Sequence, residues 1–426
     1  MTSGQQANRT KRVRCCIVGG GPAGMMLGYL LGRAGIEVLV LEKHADFFRD
    51  FRGDTVHPST LEVMDELGLI DGFLKLPHQR LQKMDGLFDG TPVRIADLSR
   101  LRTKYPFIAF MPQWDFLNFL REAGRRFASL EVMMRAEAVD LIRRGETIAG
   151  VQAKTPDGIV DIEADLTIAC DGRHSTVRER AGLGVEEIGA PMDVLWFRAG
   201  RKSDETENVF ARVEPGKMMI MFDRGDYWQC AYVIAKGQYE AVKARGLQAL
   251  LDDVVRMAPI LKAGIADVKS FDDVKLLTVA INRMARWTRP GLLCIGDAAH
   301  AMSPVGGVGV NLAVQDAVAT ANLLADKLQH GCPSENDLDA VRRRREFPVR
   351  MTQRMQVIVQ NKIISGALHG NDRPLQVPLI VRLITALPWL QGIPARLLAL
   401  GVRPEHVHSK AAPSSERSNS VGIISR

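Results

Sequence analysis

Three observations predict an α/β fold for this chain. It opens with a strand–helix–strand unit, apolar strand-like runs dominate the middle, and helical periodicity fills residues 309–330 and most of 335–365. Composition agrees: 426 residues at 46% hydrophobic and 25% charged describe an ordinary globular chain with ample core. That excludes a collagenous, disordered or disulfide-stapled protein, and the length suggests roughly two or three domains.

Each element follows in order. Residues 1–11 form a polar arm, and Val13–Val18 is a short apolar run ending in glycines, as a buried parallel strand does. Pro22–Arg33 has helical spacing and Gly35 stops it; Glu37–Leu41 is a second strand, closed by Glu42. Residues 57–75 and Trp114–Phe127 predict amphipathic helices. The runs 131–142, 148–154 and 159–170 predict a hairpin set leading to a buried strand, and 194–199, 218–222 and 228–234 predict a further sheet. Residues 237–263 turn helical, 276–281 and 292–295 return to strand, and the Ser-rich stretch from 405 predicts a disordered tail.

Charge and cysteine usage narrow the function classes little. The net charge of +7 concentrates in Arg9, Lys11, Arg12, Arg14, the run Arg342–Arg345 and the tail. An anionic cofactor suits it as well as nucleic acid does, and the arginine run predicts a solvated helix face, so no nucleic-acid partner is expected. The six cysteines have no ligand-like CxxC spacing and are expected to be reduced core residues. With no signal-peptide core near the start and no uninterrupted apolar span of eighteen residues, a cytoplasmic protein without a transmembrane segment is expected.

Chemistry enters at Gly19-Gly20-Gly21-Pro22-Ala23-Gly24, a GxGxxG between strand and helix. Gly19 permits the tight turn, Gly21 leaves room for a pyrophosphate against the backbone, and Gly24 lets helix and strand pack closely. Phosphate charge would rest on the helix N-terminus, and Glu42, with Lys43 beside it, stands where a carboxylate can accept from ribose hydroxyls. The unit therefore reads as a Rossmann-like site for an adenine dinucleotide. Further along, the strand 292–295 breaks into Gly296-Asp297, followed by Pro304 and a glycine loop, before Asn311 opens a helix. An Asp there can accept from a polyol, and the loop's N–H groups suit an electron-rich ring edge. A third strand ends in Asp171-Gly172.

These three motifs, in this order, resemble the FAD-dependent aromatic hydroxylases, the single-component flavoprotein monooxygenases of the p-hydroxybenzoate hydroxylase type. The resemblance covers residues 12–330. It implies a Rossmann-like FAD-binding domain (12–76, 108–186 and 276–335) interleaved with a substrate-binding sheet domain (77–107 and 187–275), then a C-terminal helical segment (336–404). By the same resemblance Gly19, Gly21, Pro22, Ala23, Gly24, Glu42 and Lys43 hold the ADP half of FAD. Arg52 and Gln113 would reach the cofactor further along, and Asp171 would serve FAD and NAD(P)H binding. Asp297 would bind the ribityl chain, Gly309, Val310 and Asn311 would follow the isoalloxazine edge, and Pro304 would sit beside the reaction face. The implied activity is monooxygenation of an aromatic or electron-rich small molecule through a flavin C4a-hydroperoxide, with NADPH or NADH as transient reductant and oxygen as co-substrate. The alternatives are a flavin reductase or halogenase-like enzyme, or a non-catalytic FAD- and ligand-binding protein.

For the substrate pocket the middle strands offer Trp196, Arg198, Met219, Met221, Trp228 and Tyr232; the methionine run suits either an adaptable pocket wall or plain core. His57 reads as a surface residue before Pro58, with a base near the flavin as the alternative. His300 reads as a structural partner of the Gly-Asp turn, and Glu405-His406-Val407-His408 resembles a metal pair that nothing nearby completes, so no metal is expected. The apolar, proline-broken segment 375–402 resembles the C-terminal helices that close over this fold, with a homodimer contact or a shallow membrane contact as the alternatives.

Overall fold

A computed structural model describes residues 9–48, 54–202, 209–368 and 379–413. Strand Arg9–Val18 pairs in parallel with Val38–Glu42 on one side and Gly158–Ala169 on the other; Leu130–Met134 and Leu292–Cys294 extend the sheet outward. Thr147–Thr155 pairs antiparallel with Gly158–Ala169 and Glu137–Arg144 with Thr147–Thr155, and Thr288–Arg289 pairs antiparallel with Leu292–Cys294, giving an eight-stranded sheet among the described residues. Helices Pro22–Arg33 and Gly309–His330 pack together against it. The run Val305–His330 is long and apolar enough to cross a bilayer, but 83% of its most apolar window is buried inside the protein.

The second sheet has seven strands, in the order Lys275–Leu277, Met192–Gly200, Tyr227–Ala235, Lys217–Asp223, Val209–Glu214, Lys83–Phe88 and Thr91–Asp97. Alternation splits it into two faces. Leu195, Phe197, Met219, Met221, Trp228, Cys230 and Tyr232 point one way, into a core completed by Leu250, Leu251, Val254 and Met257 of helix Leu247–Met257. Val194, Trp196, Met218, Ile220, Phe222, Gln229, Ala231 and Val233 point the other way, toward the nucleotide-binding region. The antiparallel register aligns them in rows, Trp196–Ala231–Ile220 and Val194–Val233–Met218, so the face is continuous.

Two expectations are corrected by the C-terminal region. Residues 405–412 are not a loose tail: they run back over helix Gly309–His330. Asn322 Oδ1 accepts from the backbone N–H groups of His408 and Ser409, and Ala412 donates to the Arg33 carbonyl at 3.0 Å. Nor is Arg342–Arg345 a wholly solvated face, because Arg345 is 1% exposed. The local repeat of four arginines gives no hint that the fourth points inward. Of the cysteines, five are buried and Cys332 is exposed; all are free thiols.

Candidate active site

A cavity of about 1150 Å³ lies between the two sheets. Its floor is the nucleotide-binding crevice, at the carboxyl ends of the parallel strands, where open α/β sheets place ligands. The glycines there divide their roles. A Cβ on Gly24 would stand 1.9 Å from the Gly19 carbonyl oxygen, and one on Gly19, held at φ +107°, would stand 2.4 Å from the Cys170 oxygen. Gly24 is barred from carrying a side chain by the packing of helix on strand, and Gly19 by the end of the neighbouring strand. Gly21 is different: a Cβ there meets nothing within 4 Å, because the residue faces the open cavity. Helix Pro22–Arg33 begins beside it, with unpaired N–H groups at its N-terminus.

Glu42 is pre-set by the backbone. Its Oε2 accepts from the Gly20 N–H at 3.1 Å and its Oε1 from the His44 N–H at 3.0 Å, and the residue lines the cavity with Lys43. Across the crevice, Asp171 accepts from the Val177 N–H at 3.2 Å through Oδ2, while its buried Oδ1 has no hydrogen-bond partner among the described residues. Burial pushes this carboxyl above its ordinary pKa. Pro22, Ala23, Gln113, Asp297, Pro304, Gly309 and Val310 also line the cavity. Gln113 opens helix Gln113–Gly124, and Gly309 opens Gly309–His330, so two helix starts border the space. The open crevice at Gly21 and the helix starts together fit an elongated, anionic dinucleotide such as FAD.

The sequence expectations fail at specific residues. Met219, Met221, Trp228 and Tyr232 lie on the far face of the second sheet, in its core, rather than in the cavity. Their neighbours Met218, Ile220, Phe222, Gln229, Ala231 and Val233 line it instead. Trp196 does line it, whereas Arg198 sits opposite Gln229 at the sheet's exposed end with its guanidinium 4.8 Å from the Tyr227 ring centre. Asn311 is buried, and its side-chain oxygen accepts from Ser59 and Thr60 hydroxyls at 2.7 and 2.8 Å, which turns the amide into the helix packing. His57 is neither a surface residue nor a cavity base: it is fully buried, with Nδ1 2.9 Å from the Leu398 carbonyl and Nε2 3.1 Å from that of Gly307. Burial lowers its pKa to about 4 despite those two acceptors. Arg52 falls outside the described residues. His406 pairs with Glu66, and among the described residues no cluster is arranged to hold a metal.

One cluster escapes a reading of motifs. Asp54 Oδ2 accepts from Gln229 Nε2 at 2.8 Å and pairs with Arg224 Nη2 at 2.7 Å; Arg224 Nε in turn donates to Gln229 Oε1 at 3.0 Å. Arg224 lies over the rings of Phe110 and Phe222, and Phe222 stacks on Trp196 with an interplanar angle of 17°. The cavity thus has an aromatic wall with a self-neutralised ion pair at one end. Burial raises the Asp54 carboxyl, against the opposing pull of Arg224 and the hydrogen bonds from Gln229 and Gln113.

Comparisons with known proteins converge. Residues 12–355 match the FAD binding domain family. The 6-methylpretetramide 4-monooxygenase of Streptomyces rimosus is 32% identical over 375 residues, covering 86% of this chain and 88% of that protein. Among solved structures, the p-nitrophenol 4-monooxygenase of Pseudomonas putida DLL-E4 superposes with a TM-score of 0.75 at 20% identity, covering 93% of this chain and all of that one. The anhydrotetracycline hydroxylase of Streptomyces rimosus gives 0.71 at 24% identity, covering 92% of this chain and 77% of that one.

Proposed function

This chain belongs to the FAD binding domain family, as an FAD-dependent monooxygenase that hydroxylates aromatic compounds with NAD(P)H as reductant, and from that premise we propose that its substrate is a flat, polycyclic aromatic compound of the polyketide kind. One observation carries the reading: beyond the cofactor crevice, the cavity is walled by Met84, Phe110, Trp196, Met218, Ile220 and Phe222, an apolar and aromatic surface of the kind that buries ring systems. Such a wall suits extended fused rings. The relative named for 6-methylpretetramide, itself of that kind, supports the choice.

Bound FAD supplies the redox chemistry and the activation of oxygen. The chain supplies the rest. Gly21 and the helix start at Pro22 would receive the pyrophosphate, with Gly19 and Gly24 letting the turn and helix pack behind it; Glu42 would accept from the ribose, and Asp297 and Gln113 would meet the polyol and phosphate stretch. The N–H groups opening the helix at Gly309 and Val310 would border the ring edge, where the helix dipole would favour negative charge. Asp171 would border the cofactor at the end of its strand. On the substrate side, Trp196 and Phe222 stack on the rings and exclude water. Gln229 and Asp54 hold the Arg224 charge neutral, so the wall receives an uncharged aromatic face without a solvation penalty.

The test is oxidation of NADH and NADPH by the purified holoenzyme across phenols, quinolones and polyketide aromatics, with each product identified by mass. A gain of one oxygen on a polycyclic substrate is expected. Turnover confined to single-ring phenols would overturn the substrate assignment.

A further inference from the structure

Behind the Gly296–Asp297 turn lies a buried ionic chain that touches no cavity surface. Asp316, fully buried on helix Gly309–His330, accepts through Oδ2 from the Gly296 N–H at 3.0 Å and from His300 Nε2 at 2.6 Å. Its Oδ1 accepts from Arg345 Nε at 2.9 Å. Arg345 Nη1 reaches Glu405 Oε1 at 3.3 Å and the Arg403 carbonyl at the same distance. Arg344 closes the outer end with two bonds to Glu405, at 2.7 and 3.0 Å. His300 contributes no further link, since its Nδ1 has no hydrogen-bond partner among the described residues.

The arrangement has a direction. Gly296 adopts φ +60°, and a Cβ there would press to 3.2 Å from the Ala23 side chain, so the turn carrying Asp297 is tightly seated beside the start of the first helix. Its first N–H is fixed by a carboxylate, not by a sheet partner. That carboxylate is oriented by an arginine from the helix Glu335–Val359, and the arginine by a glutamate from residues 401–412. Glu405 is itself anchored, because its backbone N–H donates to the Gln315 side chain one residue before Asp316. Stability alone does not need this: buried ion chains are frequently no better than apolar packing. What the chain does supply is a fixed geometry and alternating fixed charges behind a loop that faces the cavity.

We propose that Arg345 and Glu405 are positioning residues for the flavin, acting through Asp316 on the Gly296–Asp297 turn, so that the C-terminal strap sets both how tightly FAD is held and how readily it is reduced. The inference rests on the reading that Asp297 faces the cofactor. Two consequences separate it from a merely structural role. Loss of either residue loosens the turn and speeds FAD release. Their charges, however, act oppositely on a ring that gains electrons: removing the Arg345 cation disfavours reduction, and removing the Glu405 anion favours it.

The experiment uses full-length holoenzyme in four forms: parent, Asp297→Ala, Arg345→Met and Glu405→Gln. FAD release on dilution is followed by the fluorescence of free flavin, and the midpoint potential of the bound flavin by dye-coupled reduction. The expected result is an FAD dissociation constant raised about tenfold or more in all three variants, the size of one buried charged hydrogen bond. Arg345→Met should have a lower potential than the parent and Glu405→Gln a higher one. Should Arg345→Met fail to fold, Arg344→Gln removes a cation at the half-exposed outer end and must also lower the potential. Parental FAD affinity in Glu405→Gln, alongside weakened Asp297→Ala, overturns the relay and leaves the cofactor site standing. Parental affinity in Asp297→Ala overturns the placement of that residue and the proposal with it. Potential shifts of the same sign in the two charge variants overturn the electrostatic role.

Discussion

Gln229 and Asp54, 175 positions apart, meet at 2.8 Å. This one carboxylate ties the sheet that walls the cavity to the segment that enters the nucleotide-binding region, and it neutralises the Arg224 cation lying over Phe110 and Phe222. Asp54→Ala should therefore leave a buried, unpaired guanidinium and cost about 3–5 kcal/mol of stability. The double variant Asp54→Ala with Arg224→Ala should cost clearly less than the two single losses added together. Urea unfolding of the four proteins measures it, and strict additivity would show that the pair is not coupled.

The glycine loop separates packing from binding. Gly24→Ala forces a Cβ onto the Gly19 carbonyl and should destabilise the protein by about 1–3 kcal/mol or more. Gly21→Ala meets nothing in the protein, so unfolding of the apoprotein should shift by no more than about 0.5 kcal/mol, while FAD affinity falls. Denaturant melts beside flavin titration distinguish them. Equal damage to stability in both would remove the distinction.

Strand parity makes an equally sharp contrast. Met219→Ala opens a hole in the core against helix Leu247–Met257 and should cost about 2–5 kcal/mol while leaving KM for an aromatic substrate near its parental value. Phe222→Ala, on the cavity face, should raise KM about tenfold or more, because the bound rings no longer bury their surface against the phenyl group. Steady-state product formation together with urea unfolding reads both effects. A large KM change in Met219→Ala would place that side chain in the cavity after all.

His57 ties the stability of the fold to pH. Its folded pKa of about 4 lies below the ordinary value of 6.5, so the unfolded chain binds the additional proton between those values. The stability contributed by burying the neutral ring is fully present above pH 6.5 and is lost as pH falls toward 4, amounting to about 3 kcal/mol. His57→Gln should flatten the stability–pH curve in that window. An unchanged slope, measured by unfolding from pH 4.5 to 7.5, would show that the imidazole titrates normally in the fold.

Much of the nucleotide-binding half was legible because its signals are local. A turn that admits no Cβ at Gly19 and Gly24, an open approach at Gly21 and an acid at the end of the next strand are each set by a few adjacent residues. The same holds for Asp297 and Gly309, where a strand end and a helix start are written side by side in the chain. These are constraints of backbone geometry, and backbone geometry follows sequence closely.

What tertiary structure alone decided is which way side chains face. Lys217–Asp223 alternates correctly, but Met218, Ile220 and Phe222 are as apolar as Met219 and Met221, since one set meets a helix and the other a cavity. Hydrophobicity cannot choose between two dry faces. Asp54 and Gln229 carry no motif, and Arg345 and Glu405 look like surface charges in sequence, because a buried ion pair is recognisable only when its partner arrives from a distant segment. Short-range chain stiffness dictated the cofactor cradle; long-range charge pairing and the pleat's choice of face dictated everything that surrounds it.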